Sequence, residues 1–268
     1  MELGDAVVVV TGAGSGIGAG LARRFVAEGA RAVVLADRNA AGATAVAGEL
    51  GDRASAVAVD VTDEVAVARL VAGVLAEHGR IDLFCSNAGI ATGVGLEGGA
   101  AADAAWQRAW DVHVMAQVYA ARAVLPAMVA AGGGYLVNTA SAAGLLSSPG
   151  DAPYTASKHA SVAFAEWLAY TYRDRNIKVS VLCPMGVDTP LLMDGLHAGA
   201  PAALAVAASG AVIGVDEVAD AVLHALAEER FLVLPHPQVG KYWARKAADI
   251  DRWLAGMAEL AAQSGTTG

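Results

Sequence analysis

Tyr154 and Lys158 are spaced for acid–base chemistry, because side chains four residues apart lie on one face of a helix. The segment Tyr154–Arg173 has a helical pattern. An ammonium group beside a phenol favours the phenolate and lowers the phenol pKa from about 10 toward the range of a general base. Many such pairs are only a half-buried tyrosine and a solvated lysine, so the pair needs further support.

Ser141 precedes this pair and directly follows the predicted strand Tyr135–Thr139. Ligands bind at the carboxyl ends of the strands in a parallel sheet, so a hydroxyl there can hold a substrate oxygen. A serine in a loop of Ser, Ala and Gly is also common without any function. Together, the three residues are candidates for proton transfer at a substrate oxygen.

A glycine-rich segment, Thr11–Gly18, follows a run of valines and opens a helical pattern. Backbone N–H groups of such a turn can approach a phosphate closely, although the glycines would also suit a purely structural turn. Asp37 ends the second predicted strand, where dinucleotide-binding proteins place the acid that binds the ribose hydroxyls of NAD. Its carboxylate repels a 2′-phosphate and favours NAD over NADP, whereas the neighbouring Arg38 leaves NADP open.

Short apolar runs alternate with helical patterns along the chain. Strands are predicted at Ala6–Val10, Arg31–Ala36, Ala54–Val59, Ile81–Cys85, Tyr135–Thr139, Lys178–Leu182 and Phe231–Leu234. Helices are predicted at Ile17–Glu28, Ala40–Leu50, Val65–Glu77, about Ala104–Ala131, Tyr154–Arg173 and Asp216–Ala227. This alternation predicts an α/β fold with a doubly wound parallel sheet and helices on both faces. We find no linker or repeat, so residues 1–268 are predicted to form a single domain.

Composition excludes several classes of protein. Hydrophobic residues make up 56% and charged residues 17% of the 268, which excludes intrinsic disorder. The net charge of −9 argues against nucleic acid and anionic membranes as partners. Cys85, Cys183 and the histidines lack metal-ligand spacing, so no metal site and no disulfide framework are expected. The start of the chain lacks a basic signal region, and Pro201 interrupts the uncharged stretch 195–215; a cytoplasmic protein without a membrane span is predicted.

Taken together, the motifs resemble the short-chain dehydrogenase/reductase family, in its single-domain branch. The matching segments occur in order between Val7 and about Thr189. They are Thr11-Gly12-x-x-x-Gly16-x-Gly18, Asp60-Val61, Asn87-Ala88-Gly89, Ser141, Tyr154-x-x-x-Lys158, and Pro184 with Val187 and Thr189. The resemblance implies a Rossmann-like sheet of seven strands and an oxidoreductase that uses a nicotinamide dinucleotide.

The resemblance also implies a role for each matching residue. Tyr154 would be the catalytic acid/base, Lys158 would bind the nicotinamide ribose and lower the tyrosine pKa, and Ser141 would orient the substrate oxygen. The residues implied to contact the cofactor are Gly12, Ser15, Gly16, Ile17 and Gly18 at the pyrophosphate, Asp37 with Arg38 beside it at the adenosine ribose, Asp60 and Val61 at the adenine, Asn87, Ala88 and Gly89 along its length, Tyr154 and Lys158 at the nicotinamide end, and Pro184, Val187 and Thr189 around the carboxamide.

Three departures from the family pattern affect the interpretation. His113 stands where the family usually has an asparagine that helps to hold a proton-relaying water, so it is a candidate catalytic residue in a modified relay; a tolerated substitution on a buried helix is the equal alternative. Met185 replaces the usual glycine after Pro184. The usual C-terminal segment, which helps to build a tetramer, is replaced by an amphipathic helical tail at about 240–262. A homo-oligomer is predicted, with dimer and tetramer both open.

The segment at about 190–215 occupies the family's variable substrate loop and is apolar, with Asp194 as its acid and no lysine or arginine. It predicts an apolar alcohol or ketone substrate, alicyclic and terpenoid- or steroid-like, and offers no anchor for a carboxylate, phosphate or CoA ester. Packing of these residues on the body or on a second subunit is the alternative.

The sequence therefore predicts an NAD-dependent oxidoreductase that interconverts a secondary alcohol and a ketone. Two alternatives remain: an NADPH-preferring carbonyl reductase, and a non-catalytic dinucleotide-binding scaffold or redox sensor, suggested by His113 and Met185.

Overall fold

A parallel sheet of seven strands lies at the centre of the computed structural model, which describes residues 1–97 and 101–265. The strands are β1 (Val7–Thr11), β2 (Ala32–Asp37), β3 (Ala54–Ala58), β4 (Leu83–Ser86), β5 (Gly134–Thr139), β6 (Ile177–Leu182) and β7 (Leu232–Val233). Their order across the sheet is β3-β2-β1-β4-β5-β6-β7, and all neighbouring pairs are parallel. The chain reverses its direction of winding between β1 and β4, where doubly wound sheets bind their ligands.

Helices cover both faces of this sheet. They are α1 (Gly16–Ala27), α2 (Ala40–Leu50), α3 (Glu64–His78), α4 (Asp103–Trp110), α5 (Ala116–Ala130), α6 (Ala143–Leu146), α7 (Ala152–Thr171), α8 (Pro190–His197), α9 (Pro201–Ala208), α10 (Val215–Glu228), α11 (Gln238–Ala248) and α12 (Ile250–Gly265). A π-helical turn, Asp111–Met115, joins α4 to α5.

The consecutive valines of β1 are buried because the strand contributes to a hydrophobic core on each face of the sheet. Val8 and Val10 pack in the core formed with α1 and α10. Val7 and Val9 pack in the core formed with α3, α5 and α7. A strand covered on both faces has no solvent-facing side chains, which explains the absence of polar alternation in its sequence.

The predicted doubly wound parallel sheet and single α/β domain are confirmed. Each strand begins and ends within two residues of its predicted bounds, and α2 has the predicted bounds. These elements carry strong local signals: buried β-branched runs for the strands, and apolar spacing with terminal glycines for the helices.

Three helical regions differ from the sequence-based expectation. The long helix predicted at about Ala104–Ala131 contains the π-helical turn. The segment at about 190–215 holds two short helices, α8 and α9. The tail forms two helices instead of one, because Asp249 adopts an extended conformation (φ −156°, ψ 94°) that ends α11.

One helical stretch in the described ranges, Asp103–Ala130, is long and apolar enough to cross a membrane by length and composition. Half of its most apolar window is buried within the fold, as expected for a helix that packs on a central sheet. α8 and α9 together are also long and apolar enough, but they are bent by 110° relative to each other.

Candidate active site

The glycine-rich turn between β1 and α1 leaves backbone N–H groups available for an anion. Ser15, the N-cap residue of α1, makes no side-chain hydrogen bond to the helix, and the first turn contains no acidic residue. N–H groups of a first helical turn lack intrahelical acceptors and carry the positive end of the helix dipole. Glycine is required at the back of this turn, since a Cβ on Gly18 would lie 2.2 Å from the carbonyl oxygen of Gly12.

Asp37 is held in place at the carboxyl end of β2. Its carboxylate accepts hydrogen bonds from the N–H of Gly14 at 2.9 Å and the N–H of Asn39 at 2.8 Å. The acid thus lies beside the glycine-rich turn, in the position expected for a residue that binds a ribose.

Asp60 follows β3 and lies at the same edge of the sheet as Asp37. Its carboxylate accepts hydrogen bonds from the N–H and the hydroxyl of Thr62, at 2.9 and 2.8 Å, and these bonds lower the pKa of Asp60. The charge of the neighbouring Arg38 lowers it further. Asp60 is therefore an anion at neutral pH, and its charge interacts with that of Arg38.

Asn87 joins the carboxyl ends of three strands. Its side-chain amide donates to the carbonyl oxygen of Thr11 on β1 at 3.1 Å, and its side-chain oxygen accepts from the hydroxyl of Thr139 on β5 at 3.1 Å. Its own backbone N–H, just beyond β4, donates to the Thr11 hydroxyl at 2.9 Å. Asn87 therefore holds together the strand ends that lie between the glycine-rich turn and the catalytic candidates.

A cavity of about 1560 Å³ runs along this edge and beyond it. Pockets for one small ligand usually occupy about 300–1,000 Å³, so this cavity can hold a dinucleotide and a second molecule. Gly18 and His113 lie behind the cavity wall instead of lining it. The other predicted site residues all line it: Gly12, Ser15, Gly16, Ile17, Asp37, Arg38, Asp60, Val61, Asn87, Ala88, Gly89, Ser141, Tyr154, Lys158, Pro184, Val187 and Thr189.

Ser141, Tyr154 and Lys158 meet in the middle of this cavity. Lys158 is buried, its ammonium nitrogen donates to the carbonyl oxygen of Thr139 at 3.1 Å, and it lies 5.6 Å from the centre of the Tyr154 ring. The Ser141 hydroxyl oxygen accepts the N–H of Ala143 at 3.1 Å and hydrogen-bonds to the Tyr154 phenol. The predicted grouping of these three side chains is therefore present.

A family model described as short chain dehydrogenase matches residues 6–198 of the chain. This match covers β1 to α8 and all of the candidate site residues named above. The chain belongs to the short-chain dehydrogenase/reductase family.

Relatives of this short-chain dehydrogenase/reductase include characterised alcohol dehydrogenases. It is 36% identical over 258 residues to 1-deoxy-11-beta-hydroxypentalenate dehydrogenase of Streptomyces avermitilis, covering 95% of this chain and 93% of that protein. It is 37% identical over 190 residues to meso-2,3-butanediol dehydrogenase of Serratia marcescens, covering 70% of this chain and 74% of that one.

Solved structures of the family share the fold. A short-chain dehydrogenase/reductase of Burkholderia phymatum in complex with NAD superposes with a TM-score of 0.85 at 29% identity, covering 94% of this chain and 96% of that one. A 3-ketoacyl-(acyl-carrier-protein) reductase of Brucella melitensis complexed with NADH gives a TM-score of 0.77 at 30% identity, covering 87% and 98%.

Burial dominates the electrostatics of the catalytic pair in this short-chain dehydrogenase/reductase. The pKa of Tyr154 is raised above 10, first by burial, and the hydrogen bond with Ser141 only partly opposes that shift. Burial lowers the pKa of Lys158 to about 8. The sequence-based expectation that the Lys158 ammonium lowers the Tyr154 pKa is therefore wrong for the protein without cofactor, since the buried phenolate is poorly solvated and the pKa is raised.

His113, on the π-helical turn, has both ring nitrogens engaged. Nε2 accepts the N–H of Ile90 at 3.1 Å, which leaves the proton on Nδ1, and Nδ1 donates to the Ser157 hydroxyl at 2.8 Å. Ser157 in turn donates to the Tyr154 carbonyl oxygen at 3.0 Å. Burial and the charge of Lys158 hold the pKa of His113 well below 6.5, so the imidazole is neutral.

Asp151 is a site residue that the sequence analysis missed. It is buried and caps α7 by accepting the N–H of Tyr154 at 3.0 Å. The same carboxylate accepts N–H groups of Thr92 and Gly93 at 2.8 and 3.3 Å, and the Thr92 hydroxyl. It therefore ties the loop after β4 to the helix that carries Tyr154. An acid followed two residues later by Pro153 was the available signal.

His236 is a second buried residue near the site that the sequence analysis did not identify. It is only 2% exposed and lies behind the segment Pro184–Thr189. Its Nδ1 accepts the N–H of Met185 at 3.2 Å, and its Nε2 donates to the carbonyl oxygen of Gly186 at 3.0 Å. These two bonds hold the segment whose Pro184 carbonyl oxygen accepts the Ser141 hydroxyl at 3.5 Å. Its position depends on the path of the chain after β7, which no local pattern reveals.

The C-terminal tail lines the cavity, which the sequence analysis did not predict. Tyr242 of α11 and Trp253, Met257 and Leu260 of α12 contribute to the cavity wall, and α12 packs on α9. The tail of this short-chain dehydrogenase/reductase thus covers the end of the cavity next to α9.

Within the described ranges, no group of three or more metal-binding side chains is found. The expected absence of a metal site stays a prediction for the protein as a whole.

Proposed function

We propose that this protein is an NAD-dependent oxidoreductase that interconverts a secondary alcohol and a ketone. One observation carries the proposal: Ser141, Tyr154 and Lys158 line the same cavity as the glycine-rich turn and Asp37. Family membership and relatives named as alcohol dehydrogenases support this reaction class.

The residues present fit a nicotinamide dinucleotide. The uncapped first turn of α1 suits a pyrophosphate. A Cβ on Gly16 would lie 3.2 Å from the Thr189 side chain, so glycine at this position keeps the cavity wall free of a close contact. Asp37 is oriented to accept ribose hydroxyls and repels a 2′-phosphate, which favours NAD. Arg38 supports NADP as the second candidate, because its guanidinium lines the cavity beside Asp37.

The bound nicotinamide supplies the hydride acceptor or donor. During oxidation, Ser141 orients the substrate hydroxyl, and the Tyr154 phenolate removes its proton. Lys158 stabilises that phenolate because its ammonium lies on the face of the same ring. In the reverse direction, the Tyr154 phenol donates its proton to the carbonyl oxygen held by Ser141.

His113 supports the site by positioning and not by relaying protons. Its neutral ring spans from the loop at Ile90 to Ser157 on α7, so it sets the distance between these two walls. Because both nitrogens bond to protein atoms, the interpretation of a tolerated, structural substitution is favoured over a modified relay.

An apolar, alicyclic or terpenoid-like substrate fits the far end of the cavity. Leu192 and Val206 from the variable segment and Trp253 from the tail line it. The relative from Streptomyces avermitilis acts on a hydroxylated pentalenate, which is a compound of this kind. We also propose that the protein works in the cytoplasm as a homo-oligomer.

Turnover with NAD and with NADP across a panel of alicyclic secondary alcohols tests the proposal. Tyr154→Phe is expected to lower turnover by about 10²–10⁴-fold while NAD affinity is unchanged. Tyr170→Phe, an exposed tyrosine on the same helix, is the matched control and should retain turnover.

Asp37→Ala is expected to weaken NAD binding and strengthen NADP binding. NAD binding without turnover on any alcohol would instead support a scaffold.

A further inference from the structure

The C-terminal helices bring two arginines to the substrate end of the cavity. Arg245 lies on α11 and Arg252 on α12, and both line the cavity near Trp253 and Met257. The variable segment 190–215 contains no lysine or arginine. The tail therefore supplies the positive charge at this end.

Neither guanidinium takes part in an ion pair within the part of the chain that the structure describes. Arg245 lies 6.0 Å from the centre of the Tyr242 ring. Asp249, which also lines the cavity, uses its carboxylate to accept the backbone N–H of Arg252 at 3.0 Å. The two arginines and this acid leave a net positive charge, and both guanidinium groups are available to an anion.

The tail that carries these arginines is attached to the catalytic loop. Lys246 donates from its ammonium nitrogen to the carbonyl oxygen of Leu145 at 2.7 Å, in the short helix that follows Ser141. The same nitrogen lies 3.4 Å from Nε2 of His159, the neighbour of Lys158. These contacts attach α11, which carries Arg245, to the segments that carry Ser141 and Lys158.

Apolar side chains also contribute to the cavity wall. Leu146, Leu192, Val206, Met257 and Leu260 line the same cavity. A ligand that satisfies both features has an apolar body and one anionic group. A carboxylate suits two guanidinium groups best, since planar N–H pairs bind its two oxygens in parallel.

We infer that Arg245 and Arg252 bind the carboxylate of a hydroxylated alicyclic acid, and that such acids are the substrate class. The inference rests on the proposed function, because it assigns the opposite end of the substrate to Tyr154. It differs from the sequence-based expectation that a carboxylate lacks an anchor, because that expectation considered only the variable segment.

Calorimetric titration of the full-length, NAD-loaded protein tests the inference without requiring turnover. The probes are adamantane-1-carboxylate and adamantane-1-carboxamide, which share one apolar cage and differ in charge. The carboxylate is expected to bind at least about tenfold more tightly, and this preference should shrink as KCl is added. The Arg245→Gln/Arg252→Gln double variant should bind both probes equally.

Arg53→Gln/Arg69→Gln is the matched control, because both arginines are exposed, lie away from the cavity, and their loss also lowers the net charge by two. It should keep the full preference for the carboxylate. Equal binding of the two probes by the unaltered protein, or binding of neither, overturns the inference. So does a preference that survives in the double variant, which would assign the anion to Arg108 on α4.

The same preparation separates this inference from the proposed function. Turnover of neutral alcohols without carboxylate preference supports the oxidoreductase and overturns the anchor. Carboxylate preference without turnover of neutral alcohols or of hydroxylated alicyclic acids supports the anchor and contradicts the oxidoreductase.

Discussion

At the scale of single residues, the active site is built from side chains whose charged forms are destabilised by burial. Lys158 has a pKa lowered to about 8, whereas the pKa of Tyr154 is raised. Burial in the protein without cofactor therefore favours the neutral forms of Tyr154 and Lys158 more than water does. The surrounding fold keeps the two side chains buried together although burial destabilises their charged forms.

Lys158→Met is expected to change stability in a pH-dependent way. The unfolded lysine has a pKa near 10.5 and the folded one near 8, so the unfolded state binds more protons between these values and wild-type stability rises with pH there. The variant lacks this dependence. Its stability relative to wild type should therefore be greater at pH 7 than at pH 10, by on the order of 3 kcal/mol.

Urea unfolding of both proteins at pH 7, 8, 9 and 10 measures this difference, and Lys178→Met, at a half-exposed lysine, is the control. A difference that is constant across the pH range would show that Lys158 is not destabilised by burial. Lys158→Met should also lose turnover at every pH.

Residue types and spacing were enough to predict which side chains would meet, but not their electrostatics. The motif positions of Ser141, Tyr154 and Lys158 are local in sequence. Their pKa values depend on which distant segments exclude water from them, and Cys183 and Asp151 act on Tyr154 from two different elements. No sequence pattern contains that information.

At the scale of elements, the start of α7 is where the fold controls the chemistry. Asp151 caps this helix three residues before Tyr154 and also holds the loop at Thr92. One carboxylate thus sets both the helix start and the wall that faces it. Helix capping here determines where the phenol lies.

Asp151→Ala is expected to lower the free energy of unfolding by about 1–3 kcal/mol, since several buried N–H groups lose their acceptor. It should also lower kcat/KM at least about tenfold, because Tyr154 loses its fixed position. Asp63→Ala removes the N-cap of α3, outside the cavity, and is the matched control. That variant should lose about 1 kcal/mol and keep its kcat/KM. Equal kinetic losses in both variants would contradict the role of Asp151.

The regular elements could be predicted from periodicity, whereas their interruptions could not. The π-helical turn around His113 and the break at Asp249 both occur within sequences of ordinary helical pattern. Each is imposed by contacts made in the folded state: His113 bonds to Ile90 and Ser157, and Asp249 caps α12.

At the scale of the whole molecule, exposed aromatic side chains concentrate on two helices that pack against each other. Trp106 and Trp110 lie on α4, and Trp167 and Tyr170 on α7, with exposed fractions of 38–69%. Exposed apolar patches of this kind mark interaction surfaces. They favour a homo-oligomer interface on this side.

Light scattering is expected to give at least twice the chain mass of 26.9 kDa for the wild type and the monomer mass for Trp167→Glu. Trp243→Glu changes a tryptophan of similar exposure on the tail and should leave the oligomer intact. Dissociation of the second variant but not the first would move the interface to the tail.

The tail shows why part of the site lay beyond sequence analysis. Its amphipathic pattern was evident, but the surface that its apolar face would cover depends on packing between distant segments. α11 and α12 lie on α6 and α9, which the chain reaches much earlier.

The two ends of the cavity are formed by different parts of the sequence. The residues proposed to hold the dinucleotide precede position 190, whereas most of the substrate end is formed by α8, α9, α11 and α12. The family model ends at residue 198, close to that boundary. Substitutions after residue 190 can therefore reshape that end of the cavity while Ser141, Tyr154 and Lys158 stay unchanged, so the proposed specificity and the proposed proton transfer are separable by mutation.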